Sequence, residues 1–342
     1  MSKRTQAVTR AFQFSYPPSV ELAHLPTPVL PLEHLSDRLK VPILCKRDDL
    51  TGAALSGNKV RKLEFLLADA LDRGATGVIT CGGIQSNHAR ATALAARRLG
   101  LSAHLLLRSE TPDVDPILEG NVLLSRLAGA TIELITAEQY EDRNTLMAQR
   151  ADELASKEAE SLWIPIPEGG SNALGTWGYV RCVEELAIQL GAVPATIIYP
   201  VGSGGTAAGL IAGCRLFDLP YRLVGVSVGG EQKILQNRIS TILGEMAEDW
   251  KIDVANEPEG IEIWDDYVGL GYAISRDEEL SCIVDVAREE GLVLDPVYSG
   301  KTMFALISEI EKKRPLGEPI VFLHTGGIYG LFPKVDQLAP LL

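Results

Sequence analysis

The 342-residue chain is poor in the residues that build disulfides and metal sites. It has five cysteines, an odd number, and none forms a Cys-x-x-Cys pair. The five histidines show no His-Glu-x-x-His spacing. A disulfide framework and a zinc site are therefore not expected. The chain is predicted to hold no metal and to keep its thiols reduced, as in a cytoplasmic protein.

Basic residues are also in the minority. Lysine and arginine number 32 against 45 aspartates and glutamates, a net charge of −13. This balance argues against partners such as nucleic acid or an anionic membrane, because both require clustered cations. No apolar run approaches the roughly 20 residues that span a bilayer. Residues 1–10 lack the apolar run of a secretory signal. We expect a cytoplasmic protein without nucleic-acid or membrane partners.

Short apolar runs alternate with amphipathic stretches along nearly the whole chain. The strand-like runs are Val41–Cys45, Gly77–Cys81, Ala103–Leu107, Thr131–Ile135, Leu162–Ile166, Thr196–Pro200, Leu223–Val228 and Pro319–His324. The helical stretches are Val60–Arg73, Ala89–Leu99, Leu118–Leu127, Asn144–Glu158, Val180–Leu190 and Leu280–Glu289. This alternation predicts an α/β fold of parallel-rich, twisted sheets covered by helices. Pro42 places the first run at a sheet edge or at a strand start.

Two clusters of helix- and strand-breaking residues suggest domain boundaries. Thr51–Gly57 and Pro165–Asn172 are rich in glycine, serine and proline, and they bracket about four strands. We expect a smaller α/β domain, residues 59–172, inserted into a larger domain made of residues 1–58 and 173–342. A cleft between two such domains is a common place for a ligand.

The segment Ser56–Phe65 places Lys59 where a Gly/Ser loop meets an amphipathic helix. The positive end of the helix dipole disfavours an ammonium there and so lowers the pKa of the amine. Lysines with lowered pKa values form Schiff bases with carbonyl compounds. The alternative is a solvated lysine that lies along the start of the helix.

A glycine loop between a strand and a helix predicts an anion site. It follows Thr196–Pro200 and consists of Gly202, Ser203, Gly204, Gly205 and Thr206. Glycines allow close backbone approach, and the helix start offers free N–H groups. The loop lacks the Gly-Lys-Ser/Thr of a Walker A motif. Ala207 stands where a dinucleotide site needs its third glycine, so a lone phosphate fits better than a pyrophosphate.

Other junctions carry polar residues that suit a small-molecule site. Ser86, Asn87 and His88 open a predicted helix, where they could cap it, bind a substrate carboxylate, or do both. Tyr272 and Tyr298 lie in glycine- and proline-rich loops. Each alone is more typical of packing than of catalysis.

Taken together, these segments resemble one family. The matching phrases are Lys46–Asp49, Ser56–Phe65, Gly83–His88, Gly169–Asn172 and Asp295–Lys301. They are similar to pyridoxal-phosphate enzymes of the tryptophan-synthase-β type (fold type II), in the branch that holds 1-aminocyclopropane-1-carboxylate (ACC) deaminase and D-cysteine desulfhydrase. The resemblance runs from about Leu25 to the end of the chain.

The resemblance implies roles for individual residues and a homodimeric enzyme. Lys59 would form the Schiff base with the cofactor and remove the substrate Cα proton. Lys62 and the Gly202–Thr206 loop would hold the phosphate, and Asn87 the phenolic oxygen. Ser86 would lie beside the substrate carboxylate and act in catalysis, with Asn87 and His88 also at the substrate. The tyrosines Tyr272 and Tyr298 would be catalytic, and Tyr298 would also contact the substrate.

The residue after Tyr298 bears on the substrate. ACC deaminases resemble Asp-Pro-Val-Tyr-Glu there, with the glutamate at the pyridine nitrogen, whereas this chain has Ser299. The nearest substitute is Thr325, which would hold the cofactor through a neutral hydroxyl. A weaker electron sink favours β-elimination of a good leaving group over opening of a cyclopropane.

We therefore expect β-elimination of D-cysteine to pyruvate, hydrogen sulfide and ammonia. An L-cysteate sulfo-lyase remains an alternative, although the sulfonate would need an additional cation that the sequence does not identify. ACC deaminase is a weaker alternative. A non-catalytic regulator that binds an amino acid or phosphate on the same fold is a further alternative, disfavoured by the presence together of Lys59, Ser86, Tyr272 and Tyr298. A nicotinamide dehydrogenase is disfavoured by the imperfect glycine loop.

Overall fold

The computed structural model describes residues 15–157, 159–254 and 257–342. The N-terminal residues 1–14 and Glu158, the last residue of a predicted helix, lie outside the described residues. The strands are β1 (Val29–Pro31), β2 (Ile43–Arg47), β3 (Gly77–Gly83), β4 (Ser102–Arg108), β5 (Thr131–Ile135), β6 (Trp163–Pro165), β7 (Ala195–Val201), β8 (Tyr221–Ser227), β9 (Ile263–Trp264) and β10 (Ile320–His324).

Helices connect most of these strands. They are α1 (Glu33–Leu39), α2 (Asn58–Asp72), α3 (Asn87–Arg98), α4 (Gly120–Leu127), α5 (Ala137–Glu141), α6 (Arg143–Ala155), α7 (Ala173–Leu190), α8 (Gly205–Leu216), α9 (Gln232–Trp250), α10 (Asp277–Glu290), α11 (Ser299–Glu311) and α12 (Val335–Leu338). Within the described ranges, no helix is long and apolar enough to cross a membrane.

The strands form two sheets. One has six strands in the order β1-β2-β10-β7-β8-β9, and the other has four in the order β5-β4-β3-β6. In the part of the chain that the structure describes, β1 alone pairs antiparallel, with β2, and the other pairings are parallel. The four-stranded sheet uses only strands between residues 77 and 165. The predicted α/β class with parallel-rich sheets is confirmed.

The eight predicted strands correspond to β2–β8 and β10. Pro42 directly precedes β2, which lies between β1 and β10 inside the sheet. Of the two predicted positions, Pro42 is therefore at a strand start and not at a sheet edge. A proline there interrupts no hydrogen bond of the ladder. The short strands β1 and β9 lack a sequence pattern and were not predicted.

Helix α7 is longer than its predicted range of 180–190, since it begins at Ala173. Gly175 and Gly178 weaken the helical sequence pattern of its first two turns, because glycine is a poor helix former. These glycines are required by close packing. A Cβ at Gly178 would lie 2.4 Å from the Arg61 carbonyl oxygen of α2. The helix that carries Lys59 and α7 therefore approach each other at backbone distance.

A buried ionic cluster fixes the same pair of helices to the larger sheet. The Arg61 side chain donates to Asp48, which follows β2, and to Glu185 of α7. Lys46 of β2 also donates to Glu185, at 2.6 Å. Tyr179 completes the cluster with a 2.7 Å hydrogen bond to Asp48. Because Arg61 and Asp48 are fully buried, each charge depends on its partners.

Candidate active site

A cavity lies where strands of both sheets end. It has a volume of about 360 Å³, and Gly83 at the end of β3, Val201 at the end of β7 and Thr325 after β10 line it. In α/β proteins, ligands bind at such carboxyl ends. Most predicted site residues meet at this wall: Lys59, Ser86, Asn87, His88, Gly202, Ser203, Gly204, Thr206, Tyr272, Tyr298 and Thr325. Lys62 and Gly205 are not among the lining residues.

Lys59 is the second residue of α2 and reaches the cavity from the helix start. The loop before it needs glycine, because Gly57 has a φ of 91° and a Cβ there would lie 3.0 Å from the Thr325 carbonyl oxygen. The Asn58 N–H donates to that same oxygen at 3.0 Å, which joins the start of α2 to the end of β10. Burial lowers the pKa of the Lys59 amine to about 8, while the charge of Glu168 opposes this change.

The glycine loop leads into α8, which begins at Gly205 after Gly204 in the left-handed region (φ 94°). Ser171 contacts the loop. Its Oγ accepts a hydrogen bond from the Gly205 N–H at 3.2 Å and lies 2.8 Å from Ser203 Oγ. Lys62 Nζ donates to Ser171 Oγ at 3.1 Å. Lys62 thus adjoins the loop through Ser171.

At the start of α3, Ser86 is the N-cap residue, and its Oγ accepts from the Ala89 N–H at 3.1 Å. Within the described part of the chain, its hydroxyl donates no hydrogen bond and lines the cavity. Buried His88 contacts Thr80 Oγ1 through Nε2 at 2.9 Å, and that hydroxyl donates to the Ile166 carbonyl oxygen. Burial, followed by the charge of Lys59, holds the pKa of His88 well below its usual value. His88 is therefore neutral and donates from Nε2.

Tyr272 and Tyr298 form a contacting pair that lines the same cavity. Their hydroxyl oxygens are 2.6 Å apart, and the rings pack edge to face. Burial is the main cause that raises the pKa of both phenols, so both are protonated at neutral pH. Lys301 Nζ donates to the carbonyl oxygens of Val268 and Gly271 and so holds the turn before Tyr272. The pair can hold or donate one proton at the cavity surface.

Ser299 does not reach the cavity. It is fully buried, and its Oγ donates to Asp295 Oδ1 at 2.6 Å while accepting the Asp295 N–H at 2.8 Å. This local motif caps α11 and leaves no group for a ligand. Thr325 is the neutral residue of the predicted pair that lines the wall.

Sequence reasoning missed several charged residues at this cavity. Arg108, the last residue of β4, lines it and stacks on the ring of Tyr140 at 5.1 Å. Glu168 also lines it and pairs with Arg143 at 3.1 Å. Arg238 of α9 reaches the wall beside the glycine loop. A charged residue directly after a predicted parallel strand, as Arg108 is, was the available signal.

The residues present fit pyridoxal phosphate. The cavity combines a lysine amine of lowered pKa with a glycine loop at the start of a 12-residue helix. The amine can attack a carbonyl carbon, and the loop can bind a phosphate. Asn58 Nδ2 donates to Thr206 Oγ1 at 3.2 Å and ties the lysine segment to the phosphate loop. Lys59 would hold the carbonyl end of the cofactor, and Gly202–Thr206 its phosphate.

Comparison with known proteins gives the same answer. Residues 20–326 match the family described as "Pyridoxal-phosphate dependent enzyme". The chain is 42% identical to the bifunctional D-cysteine desulfhydrase/ACC deaminase, mitochondrial, of Arabidopsis thaliana, over 94% of this chain and 81% of that protein. It is 39% identical to a D-cysteine desulfhydrase of Yersinia enterocolitica, over 94% and 97% of the two chains.

A solved structure agrees. The crystal structure of an ACC deaminase homologue superimposes with a TM-score of 0.88 at 37% identity and covers 98% of this chain and 99% of that one. Both the fold and the cofactor therefore match the site built above from its residues. The chain belongs to the pyridoxal-phosphate-dependent enzymes of fold type II, in the family that holds the D-cysteine desulfhydrases and ACC deaminases.

Proposed function

We propose that this enzyme catalyses β-elimination of D-cysteine to pyruvate, hydrogen sulfide and ammonia. One observation carries the choice of reaction: the buried Ser299 hydroxyl is committed to Asp295, whereas the neutral Thr325 lines the cavity. A neutral partner leaves the cofactor a weaker electron sink than a carboxylate would. Expelling a thiolate requires less stabilisation of the carbanion than opening a cyclopropane does.

We place the substrate carboxylate at the start of α3. Among the described residues, the Ser86 hydroxyl accepts from the Ala89 N–H and donates no hydrogen bond, and the first-turn N–H groups of a helix have no intrahelical partner. His88 is neutral and contributes no charge, so the anion depends on the Ser86 hydroxyl and the helix start. A carboxylate at a helix N-terminus is further stabilised by the helix dipole.

Lys59 Nζ takes the proton from the substrate Cα. Its pKa of about 8 gives a substantial unprotonated fraction near neutral pH, which a base requires. Bound pyridoxal phosphate supplies the electron sink for the electron pair that this proton leaves behind. We propose that a D-configured substrate presents its Cα proton to the Lys59 side of the cavity.

The pair of Tyr272 and Tyr298 handles the leaving group. Both phenols are protonated and share a 2.6 Å contact, so one can donate a proton to the departing sulfur while the other stabilises the resulting charge. The enamine released with the sulfide hydrolyses to pyruvate and ammonia.

The test is product analysis with pyridoxal-loaded protein and D-cysteine, L-cysteine, L-cysteate and ACC in parallel. Pyruvate with sulfide from D-cysteine alone supports the proposal. Release of 2-oxobutyrate from ACC overturns the interpretation of Ser299 and Thr325. Lys59→Ala is the negative control, and wild-type activity in that variant would contradict the assigned role of Lys59.

A second candidate, L-cysteate sulfo-lyase, is favoured by Arg108. A sulfonate needs a cation, and Arg108 lines the cavity with no ion pair among the described residues. Burial raises the pKa of the Tyr272 phenol, and the charge of Arg108 is close enough to oppose that rise. Arg108 is thus our candidate for the cation that the sequence left unidentified.

Arg108→Gln separates the two candidates. If L-cysteate is the substrate, loss of the cation should raise KM for L-cysteate by about tenfold or more, and sulfite should be the second product. If D-cysteine is the substrate, its kcat/KM should change little, because a thiol carries no fixed charge. Gln149→Glu, at an exposed site on α6, controls for a change in net charge.

Assembly and location complete the proposal. We propose a homodimer, as the resemblance implies, that acts on a small amino acid. We also propose a cytoplasmic location, from the scattered cysteines and the absence of an apolar run in residues 1–10. Light scattering on the purified protein tests the dimer, and fractionation of the source cells tests the location.

A further inference from the structure

A chain of three polar side chains runs behind the cavity wall. Arg90 Nε donates to Asn121 Oδ1 at 3.0 Å. Asn121 Nδ2 donates to Asn87 Oδ1 at 3.0 Å and to the Gln85 carbonyl oxygen at 3.0 Å. Arg90 and Asn121 are each only 1% exposed, whereas Asn87 lines the cavity. The chain therefore links the protein interior to one wall residue.

The chemistry of arginine sets the direction of every bond in this chain. A guanidinium can only donate, so the Asn121 atom facing Arg90 must be the oxygen. The Asn121 amide group then faces Asn87, and the Asn87 atom that receives it must be the oxygen too. Neither amide can turn over without placing two donors or two acceptors against each other. The Asn87 NH₂ is thereby left for the cavity, and no hydrogen bond among the described residues uses it.

We infer that Asn121 and Arg90 are positioning residues that fix Asn87 as a hydrogen-bond donor toward the bound cofactor. This inference rests on pyridoxal phosphate occupying the cavity and on the proposed place of Asn87 at its phenolic oxygen. An oriented donor there stabilises the oxygen in its anionic form. Asn121 itself contacts neither cofactor nor substrate.

Arg90 serves the site in a second way. Its other nitrogens donate to the carbonyl oxygens of Ala54 and Ser56, in the loop that leads to Lys59. It forms no ion pair within the described ranges, although a buried cation without an acid is costly. One guanidinium thus holds both the lysine segment and the orientation of Asn87, which gives a reason to keep a charge in this place.

The test is Asn121→Asp, which keeps the shape and removes both donated hydrogens. The carboxylate can still accept from Arg90, but Asn87 must now turn its NH₂ toward it and present its oxygen to the cavity. With the donor lost, the pH midpoint of the visible absorption of pyridoxal-loaded protein should rise by about one unit. The dissociation constant for pyridoxal phosphate, measured by fluorescence on unloaded protein, should rise about tenfold.

A double-variant cycle separates orientation from simple charge. In an Asn87→Ala background, Asn121→Asp should cause no further rise, since there is no amide to turn. Asn144→Asp, at an exposed site on α6, is the matched control and should leave the midpoint unchanged. If circular dichroism shows that Asn121→Asp does not fold, Asn121→Ala takes its place, and the pH midpoint should then rise by a smaller amount.

Two results would overturn the inference. One is an unchanged midpoint in folded Asn121→Asp, and the other is a rise of equal size in the Asn87→Ala background. These absorption measurements use no substrate. A failed D-cysteine assay therefore leaves them valid, and their failure says nothing about the substrate.

Discussion

At the scale of single residues, the site depends on what burial does to a few ionisable groups. The position of Lys59 at a helix start already indicated an amine with a lowered pKa. In the structure, burial is the larger cause, and the negative charge of Glu168 limits the change. The sequence could not show this balance, because Glu168 lies more than 100 residues away in the chain.

The pH dependence of cofactor attachment should follow this pKa. Only the unprotonated amine attacks a carbonyl, so the rate at which unloaded protein binds pyridoxal phosphate should rise through a midpoint near pH 8. Glu168→Gln removes the charge that favours the ammonium and should move the midpoint to lower pH. Stopped-flow absorbance measures both. Glu278→Gln, on the exposed face of α10, should leave the midpoint in place, and an unshifted midpoint in Glu168→Gln would contradict the assignment.

The tyrosine pair gives a second prediction at this scale. Tyr298→Phe should lower kcat for β-elimination by about 10²–10³-fold, because the leaving sulfur loses a proton donor. KM should change far less. Steady-state kinetics on D-cysteine give both constants. Tyr221→Phe removes a buried phenol that bonds to the Gly191 carbonyl oxygen and should leave kcat unaltered. Equal losses in the two variants would mean that Tyr298 acts only through stability.

At the scale of elements, strands were easier to predict from sequence than helices or site contacts. A parallel strand is buried on both faces, so it appears in the sequence as a short continuous apolar run. Helix α7 was shortened by glycines that packing requires, and α9 and α11 were missed. The predicted site residues came from strand–helix junctions, which sequence shows directly. Arg108 and Asn121 could not be assigned, because their roles depend on which junctions the sheets bring together.

The packing of α2 on α7 predicts the effect of adding one methyl group. Gly178→Ala would place a Cβ 2.4 Å from the Arg61 carbonyl oxygen, so the helices must separate. We expect a loss of about 1–3 kcal/mol in the free energy of unfolding, measured in urea, and weaker binding of pyridoxal phosphate because Lys59 is carried by α2. Gly330→Ala, where a Cβ meets nothing within 4 Å, should be nearly neutral. A neutral Gly178→Ala would mean that the helix contact is looser than the structure shows.

At the scale of the whole molecule, the buried cluster of Arg61, Asp48 and Glu185 links the lysine helix to both α7 and the larger sheet. The Arg61 guanidinium is the main favourable charge that lowers the pKa of Asp48, against the effect of burial. We retain the two-domain division, residues 59–172 inserted between 1–58 and 173–342, as a proposal. If it is right, the cluster lies at the junction of the two domains.

Asp48→Asn should therefore destabilise the whole fold, by about 3–5 kcal/mol at pH 7 in urea unfolding, because Arg61 loses a buried partner. A carboxyl with a lowered pKa contributes stability above its unfolded value near 3.9, and this is lost as pH falls through the lower folded value. The difference between wild type and variant should thus be constant above about pH 5 and shrink below about pH 4. Asp152→Asn, exposed on α6, is the control. A difference that persists unchanged in acid would contradict the ionic origin.

The place of β10 in the larger sheet has a consequence for the nascent chain. Among the six strands of that sheet, β10 leaves the ribosome last, yet it lies between β2 and β7. Until it arrives, each of these strands presents an open edge, the arrangement that invites wrong pairing. The four-stranded sheet, by contrast, has all its strands once residue 165 has emerged. During synthesis, the chain thus carries one sheet with all its strands and one divided sheet, and the divided sheet is the part open to wrong pairing until residues 320–324 emerge.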